Sequence, residues 1–148
     1  MQVTLLYGTE SGSAELLCED IEAAISDEHE VEIADLDDTS PSDLSPERHY
    51  IIVCATYGEG ELPASAVSFA DALREDAPDL SQIKFSIFGL GDRTYLETFN
   101  FGSKQLAEML IAQQATQVGP RGIHDASTNE PPEDTAIPWA KERLAEAQ

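Results

Sequence analysis

Three stretches of the chain are apolar almost throughout and have the length of single strands. They are Val3-Thr4-Leu5-Leu6-Tyr7, Tyr50 to Thr56, and Ile83 to Gly89. Continuous apolar runs of this length are typical of parallel strands that are buried on both faces of a sheet. Val31 to Leu36 instead alternates apolar and polar residues, which predicts an edge strand with one solvated face. A last strand is predicted near Gln117 to Ile123.

Most of the segments between these strands are predicted to be helices, whereas the acidic, Ser- and Pro-containing segment Asp37 to Pro46 is predicted to be a connection. From Ala14 to Ser26, the apolar residues fall on one helical face. Further helices are predicted from about Ala64 to Glu75, Phe101 to Gln114 and Thr135 to Ala147. Strands that alternate with helices indicate a parallel sheet covered on both faces, which is a three-layer α/β/α fold. For a five-stranded parallel sheet we expect the strand order 2-1-3-4-5.

The expected strand order also predicts where a ligand would bind. In open sheets of this kind, ligands lie beyond the carboxyl ends of the strands, at the point where the strand order reverses. That point would lie between strands one and three. The turn after the first strand and the loops after Thr56 and Gly89 should then face one pocket.

The chain has 148 residues, of which 41% are hydrophobic and 25% charged. This length and composition predict one domain spanning residues 1–148. No apolar run is long enough to span a bilayer, and Met1 leads directly into a strand. We therefore expect a cytoplasmic protein that does not associate with membranes.

Few side chains suggest metal or thiol chemistry. Cys18 and Cys54 lack metal-ligand or redox spacing and are expected to be reduced, structural thiols. The three histidines are expected at the surface, and Trp139 is expected to anchor a helix. No metal site is predicted.

Acidic residues outnumber basic residues 29 to 8, which gives a formal net charge of −21. This charge repels phosphate backbones and argues against nucleic acid as a partner, whereas it attracts basic protein surfaces. A requirement for solubility alone is the alternative explanation of the charge.

The turn Thr9-Glu10-Ser11-Gly12-Ser13-Ala14 joins the first strand to the first helix and is rich in hydroxyl groups. Backbone N–H groups at a helix N-terminus lack intrahelical partners, and together with the helix dipole they attract an anion. The turn has neither the lysine of a nucleoside triphosphate loop nor the glycine spacing of a dinucleotide fingerprint. It therefore suits a small phosphate monoester. The alternative is that Thr9 or Ser11 simply caps the helix.

The second loop reads Ala55-Thr56-Tyr57-Gly58-Glu59-Gly60-Glu61, and the third reads Leu90-Gly91-Asp92-Arg93-Thr94-Tyr95. Tyr57 and Tyr95 are either stacking faces for a ligand or ordinary surface aromatics. The glycines either let the backbone approach a ligand or only turn the chain. Three such loops at neighbouring strand ends favour a ligand site.

These three loops resemble those of flavodoxins and of the FMN domains of diflavin reductases. The end of the first loop, Ser13-Ala14-Glu15, is closer to the diflavin type, because many free-standing flavodoxins carry a hydroxyl residue at the position of Ala14. The tail from Ile123 to Trp139 resembles that of short, MioC-type flavodoxins. The resemblance implies a flavodoxin-like fold that binds FMN.

The resemblance also implies a role for each loop. The first would hold the FMN phosphate, and Tyr57 and Tyr95 would stack on the two faces of the flavin ring. The implied cofactor-binding residues are Thr9, Glu10, Ser11, Gly12, Ser13, Ala14, Ala55, Thr56, Tyr57, Gly58, Glu59, Gly60, Leu90, Gly91, Asp92, Tyr95, Phe99 and Asn100.

Flavodoxin resemblance implies a carrier that shuttles single electrons between a reductase and an acceptor protein, and not a stand-alone enzyme. Two alternatives are an FMN-dependent quinone-reductase-type enzyme and a doubly wound signalling receiver without flavin. The receiver would need acidic residues after strand one and a phosphoacceptor aspartate after strand three. This chain has Tyr7-Gly8-Thr9 and Thr56-Tyr57 there. The enzyme would need a substrate shelf over the flavin.

Acidic residues accompany the predicted flavin loops. Glu59, Glu61, Asp92 and Glu97 lie beside them, and Arg93 is the only basic residue near them in sequence. Charges of one sign steer oppositely charged partners. We therefore expect basic-surfaced redox partners, namely an NADPH-dependent flavoprotein reductase and an acceptor enzyme, and we expect the carrier itself to be a monomer.

Overall fold

The computed structural model describes residues 1–57, 61–91 and 101–147. Strands and helices alternate along them, as the hydrophobic pattern predicts. The strands are β1 (Gln2–Gly8), β2 (Glu30–Asp35), β3 (His49–Ala55), β4 (Lys84–Gly91), β5 (Thr116–Gln117) and β6 (Gly122–Asp125). The helices are α1 (Ser13–Ile25), α2 (Ala64–Asp76), α3 (Phe101–Ala112) and α4 (Pro132–Ala147). Two short 3-10 turns, Leu36–Asp38 and Pro41–Asp43, follow β2.

The strands form a parallel sheet in which β2, β1, β3 and β4 are neighbours in that order. Both β5 and β6 pair with β4 and so share the fifth position. The predicted order 2-1-3-4-5 is therefore confirmed. The register pairs Gly8 with Cys54 and Cys54 with Gly89, so the carboxyl ends of the three central strands are level.

Side-chain alternation along the central strands divides the core into two halves. On β3, the side chains of Tyr50, Ile52 and Cys54 belong to the cluster that α2 and α3 complete. Ile51 and Val53 point the other way, into the cluster that α1 and α4 complete. Each central strand therefore buries both faces, as its continuous apolar sequence predicts. The result is the expected three-layer α/β/α fold.

The last strand is predicted as one continuous segment, but the structure divides it into β5 and β6. Phe85 and Phe88 of β4 are three residues apart, whereas their partners Gln117 and Gly122 are five apart, so the outer strand carries two extra residues. Pro120, which has no N–H to donate, lies in this interruption. Extra residues of this kind form a bulge that breaks the ladder of backbone hydrogen bonds.

Trp139 anchors α4 to the sheet, in agreement with the prediction. Its ring meets Phe88 of β4 edge-on, with 5.3 Å between ring centroids. Its Nε1 donates to the Pro120 carbonyl at 3.1 Å. The indole therefore buries its apolar body and keeps its polar atom paired.

Both cysteines are buried and free of disulfides, as expected. Burial raises the pKa of the Cys54 thiol to about 12. Burial also raises the pKa of Cys18. Both thiols are protonated at neutral pH, which makes them unreactive core residues.

The prediction of surface histidines is wrong for His49 and His124, which are only 4% and 9% exposed. His49 Nε2 donates to Ser86 Oγ at 3.0 Å, and that hydroxyl donates to the Val118 carbonyl, also at 3.0 Å. Burial, with Lys84 nearby, lowers the pKa of His49 to about 4. The partner lies 37 residues away in sequence, so no local pattern signals that a neutral imidazole can be buried there.

Candidate functional site

The three loops named above leave the sheet at one edge. β1, β3 and β4 end level with one another, and α1 and α2 pack on opposite faces of the sheet. The strand order therefore reverses between β1 and β3, where such sheets bind ligands. The described parts of the three loops all lie at this edge, namely Thr9 to Ala14, Ala55 to Tyr57, and Leu90 to Gly91.

The first loop ends in an uncapped helix. Gly12 is the N-cap residue of α1, with φ 96° and ψ −4°, and no side chain among the described residues caps the first turn. Thr9 Oγ1 accepts instead from the Gly12 amide, at 2.7 Å, within the loop itself. The alternative that Thr9 or Ser11 caps the helix is therefore wrong.

The loop has the donors that a phosphate monoester needs. The side chains of Ser11 and Ser13 are at least partly exposed. Within the described part of the chain, no hydrogen bond engages these hydroxyls or the Ser13 and Ala14 amides. These donors are uncharged and lie at the positive end of the α1 dipole, which fits a compact anion.

Glu15, in the first turn of α1, is held by a neighbouring strand. The Tyr7 hydroxyl donates to its Oε2 at 3.0 Å. Partial burial, this hydrogen bond and the nearby Asp35 carboxylate raise the pKa of Tyr7 to about 12. Tyr7 therefore remains a donor at neutral pH and ties the carboxylate of Glu15 to the end of β1.

The start of α2 holds the other end of the first loop. The Thr9 amide donates to Ser65 Oγ at 2.7 Å, and the Ser65 amide donates to the Thr9 carbonyl at 3.3 Å. Glu10, which the sequence assigns to the cofactor, accepts from the Ala64 amide at 2.6 Å through its Oε2. The Glu10 carboxylate thus caps α2, whose own N-cap residue is Pro63.

The second loop presents an aromatic ring at its base. Tyr57 and Glu61 exchange two backbone hydrogen bonds of 2.8 Å, which close the loop between them. The Tyr57 side chain is 48% exposed. Below it, the Thr56 amide donates to the Leu90 carbonyl at 3.1 Å and so connects the second loop to the third. Gly58, Glu59 and Gly60 lie outside the described residues.

Leu90 and Gly91 are the last residues of β4, and both are half-buried. The Gly91 carbonyl accepts from the Ala126 amide at 2.7 Å, which joins this strand end to the segment after β6. The other predicted residues of the third loop, Asp92, Tyr95, Phe99 and Asn100, fall outside the residues that the structure describes.

Two residues at the site were not found from the sequence. Ser65 holds Thr9, as described above. The Gly102 amide donates to Thr56 Oγ1 at 3.0 Å, and a Cβ on Gly102 would lie 2.3 Å from the Ala55 carbonyl oxygen. The only local signal for Ser65 and Gly102 is that each is a small residue near the start of a helix. Small residues also occur at the start of helices that border no ligand site, so this signal does not single the two residues out.

The fold also changes the expected charges near the site. Arg121, remote from the loops in sequence, donates to Ser103 Oγ at 2.7 Å in the first turn of α3. Arg121 therefore adds a basic group at the start of α3, the helix whose Gly102 amide contacts Thr56. Across residues 1–57, 61–91 and 101–147, no group of three His, Cys, Asp or Glu side chains is arranged to hold a metal ion. No helix in those ranges is both long and apolar enough to cross a membrane.

Comparison with known proteins assigns the fold and the loops to a family. Residues 5–139 match the family model described as Flavodoxin. The chain belongs to the flavodoxin family. Flavodoxin YqcA from Escherichia coli is 28% identical over 144 residues, which cover 95% of this chain and 95% of that protein. A flavodoxin from Pseudomonas aeruginosa, solved as a cysteine-to-serine mutant, superposes with a TM-score of 0.84 at 28% identity and covers 99% and 98% of the two chains.

Similarity extends to larger flavoproteins. The sulfite reductase [NADPH] flavoprotein alpha-component of Bacillus subtilis is 33% identical over 132 residues, or 88% of this chain. This flavodoxin spans only 22% of that relative's length. Membership of the family confirms the resemblance inferred from the loops and, with it, FMN as the cofactor. It excludes the signalling receiver, whose site residues are also missing from the ends of β1 and β3.

Proposed function

We propose that this flavodoxin binds one FMN per chain, as a single domain over residues 1–148, and carries single electrons between a reductase and an acceptor protein. The observation that supports this most directly is that the uncapped N-terminus of α1 and an exposed tyrosine ring follow strand ends at the same edge of the sheet. A phosphate seat and a stacking face at one sheet edge suit a phosphorylated, planar cofactor.

The first loop would hold the phosphate. Amides of Ser13 and Ala14, with the hydroxyls of Thr9, Ser11 and Ser13, supply donors without adding a positive charge. Thr9 can donate its hydroxyl hydrogen outward, because Oγ1 uses a lone pair to accept from the Gly12 amide. A phosphate monoester is therefore recognised by geometry and by the helix dipole.

The second loop would face the flavin ring. Bound FMN supplies reversible one-electron chemistry, and the protein supplies orientation and electrostatics. Stacking on Tyr57 would cover one ring face and exclude water from it. Tyr95 on the other face, and Gly58, Glu59, Gly60, Asp92, Phe99 and Asn100 around the ring, remain contacts predicted from the sequence.

No single contact can hold the cofactor. A nanomolar complex requires about 12 kcal/mol. One charge at a helix end contributes about 0.3–1 kcal/mol, and one aromatic pair about 0.5–1.5 kcal/mol beyond area burial. Phosphate seat, ring stacking and backbone contacts must therefore act together.

We further propose that the carrier works as a cytoplasmic monomer and serves basic-surfaced partners. The formal charge of −21 supports this, because it favours encounters with positively charged surfaces and short-lived complexes. An NADPH-dependent flavoprotein reductase and an acceptor enzyme are the partner classes that an electron carrier needs.

Titration of the apoprotein with FMN and with riboflavin tests the proposal. Quenching of flavin fluorescence should give one site per chain and a preference for FMN, because only FMN fills the phosphate seat. Equal affinities for the two flavins would contradict the proposed role of the first loop.

A second measurement separates the carrier from the quinone-reductase alternative. The FMN-loaded protein should reduce an acceptor only when a flavoprotein reductase delivers the electrons. Rapid NADPH-to-quinone turnover without an added reductase would instead identify an enzyme.

A further inference from the structure

Three hydrogen bonds join the first loop to the start of α2, on the other face of the sheet. Two of them form a reciprocal pair between the backbone of Thr9 and the hydroxyl and amide of Ser65. The third runs from the Ala64 amide to the Glu10 carboxylate. Residues 9 and 10 are therefore held in place by a helix 54 to 56 positions away in sequence.

The contact satisfies both elements. The first amides of α2 have no intrahelical acceptor, and Pro63 at its N-cap provides no side-chain cap. Glu10 accepts from one of these amides, and Ser65 in turn accepts from the Thr9 amide. Glu61 and Pro63 connect the Tyr57 loop directly to this helix. The start of α2 therefore links the two loops that lie at opposite ends of the predicted cofactor.

We propose that Ser65 and Glu10 are positioning residues that fix the first loop and thereby determine the preference for a phosphate-bearing flavin. The inference rests on the proposed FMN-binding function. Thr9 is held at its amide and carbonyl by Ser65, and its Oγ1 accepts from Gly12. With Thr9 fixed, the Ser13 and Ala14 amides keep a common direction before the anion arrives, and less ordering entropy is lost on binding.

Glu10 acts in this arrangement as the cap of α2 and not as a cofactor ligand. Its negative charge lies in a loop that we expect to hold an anion, so the charge by itself opposes phosphate binding. What the loop needs from Glu10 is the oxygen that accepts from Ala64. Removing the charge and removing the acceptor should therefore have opposite effects on affinity.

The first test replaces Ser65 by alanine, with Ser68→Ala as the matched control. Ser68 lies one turn later on α2, and its hydroxyl donates to Asp37 instead of the first loop. Fluorescence titration of each apoprotein should show that Ser65→Ala raises the FMN Kd about three- to tenfold, the usual effect of one lost hydrogen bond. The riboflavin Kd should change less than about twofold, since riboflavin makes no phosphate contact.

The second test compares Glu10→Gln with Glu10→Ala. Glutamine keeps an acceptor oxygen for the Ala64 amide and removes the charge, so its FMN Kd should equal or fall below that of the wild type. Alanine removes the acceptor and should raise the FMN Kd. Urea unfolding of each apoprotein shows that the variants are folded before they are titrated.

The outcomes separate this inference from the proposed function. If the wild type prefers FMN but Ser65→Ala behaves like Ser68→Ala, the positioning role is wrong and the proposed function stands. Tighter FMN binding by Glu10→Ala than by Glu10→Gln would likewise overturn the capping role. If the wild type does not prefer FMN over riboflavin, both the function and the inference fail.

Discussion

Gly12 sets the direction of the first loop's amides. Its φ of 96° lies in the left-handed region, where a residue with a Cβ is strained by about 1–2 kcal/mol. Among residues 1–57, 61–91 and 101–147, a Cβ at this position would meet no atom within 4 Å, so space there is not the constraint. The loop therefore requires glycine for its backbone conformation alone, and a substitution here tests conformation without steric conflict.

We expect Gly12→Ala to raise the FMN Kd about five- to thirtyfold, the equivalent of that strain. Asparagine enters the left-handed region more readily than alanine, so Gly12→Asn should fall between alanine and the wild type. Fluorescence titration with FMN and riboflavin measures both. Equal losses for the two variants, or a parallel loss for riboflavin, would show that the backbone conformation of Gly12 does not serve the phosphate.

His49 should make stability depend on pH. Its pKa is about 4 in the folded state, against an ordinary value of 6.5. Between these values the unfolded chain binds more protons, so the free energy of unfolding falls as pH decreases from 6.5 towards 4. Above pH 6.5 the group is neutral in both states and has no effect. The wild type should lose roughly 2–3 kcal/mol through this residue by pH 4.

His49→Gln isolates that effect, because glutamine can donate to Ser86 but does not titrate. Urea unfolding at a series of pH values gives the free energy of unfolding for both proteins. The many carboxylates titrate in both, so the difference between the two curves reports His49. Parallel curves from pH 7 to pH 4 would mean that the imidazole is not held neutral in the folded protein.

At the scale of elements, one close contact joins α3 to the end of β3. A Cβ on Gly102 would lie 2.3 Å from the Ala55 carbonyl oxygen and 3.1 Å from Thr56 Cα. Both are backbone atoms and cannot move aside as a flexible side chain would. The same contact brings the Gly102 amide to Thr56 Oγ1, so the start of α3 and the second loop are fixed together.

Gly102→Ala should destabilise the protein by about 1–3 kcal/mol, because overpacking exceeds the gain of up to about 1 kcal/mol in helix propensity. Lys104→Ala, at an exposed position of the same turn, is the control. It removes an ammonium that lies 5.2 Å from the centroid of the Phe101 ring, and should cost at most about 0.5–1 kcal/mol. Urea unfolding of the apoproteins measures both. Stabilisation by Gly102→Ala would contradict this contact.

The elements differ in how far the sequence predicts them. β1, β3 and β4 were predicted because strands buried on both faces need continuous apolar runs, and such runs are visible locally. The break at Pro120 is not predicted from the sequence, because a bulge is defined by how the outer strand pairs with β4, and that pairing is not visible locally. The same division holds at the site: the hydroxyl-rich turn from Thr9 to Ala14 is visible in the sequence, whereas its N-cap at Gly12 comes from the structure. The contacts of Ser65 with Thr9 and of Gly102 with Thr56 depend on tertiary packing.

At the scale of the whole molecule, ion pairs balance only part of the negative charge. Arg48, Arg74 and Arg143 each form an ion pair with neighbouring acidic residues. With 29 acidic and only 8 basic residues, the chain keeps a large excess of negative charge. Exposed charges act over a Debye length of about 8 Å at physiological salt. The effect of a given carboxylate on a partner should thus depend on how far it lies from the edge where the loops meet.

Glu61 and Glu75 test this dependence with the same substitution. Glu61 closes the Tyr57 loop, and Glu75 lies in the last turn of α2. The 13 residues of α2 span about 20 Å, which exceeds two Debye lengths. Glu61→Gln should lower the association rate with a basic-surfaced reductase by roughly twofold at physiological salt, whereas Glu75→Gln should leave it unchanged. Stopped-flow reduction at several salt concentrations measures both rates, and the difference between the variants should vanish as salt rises further. Equal association rates for the two variants at physiological salt would contradict steering towards the loop edge. The partner would then respond to the net charge of the molecule and not to the position of each carboxylate.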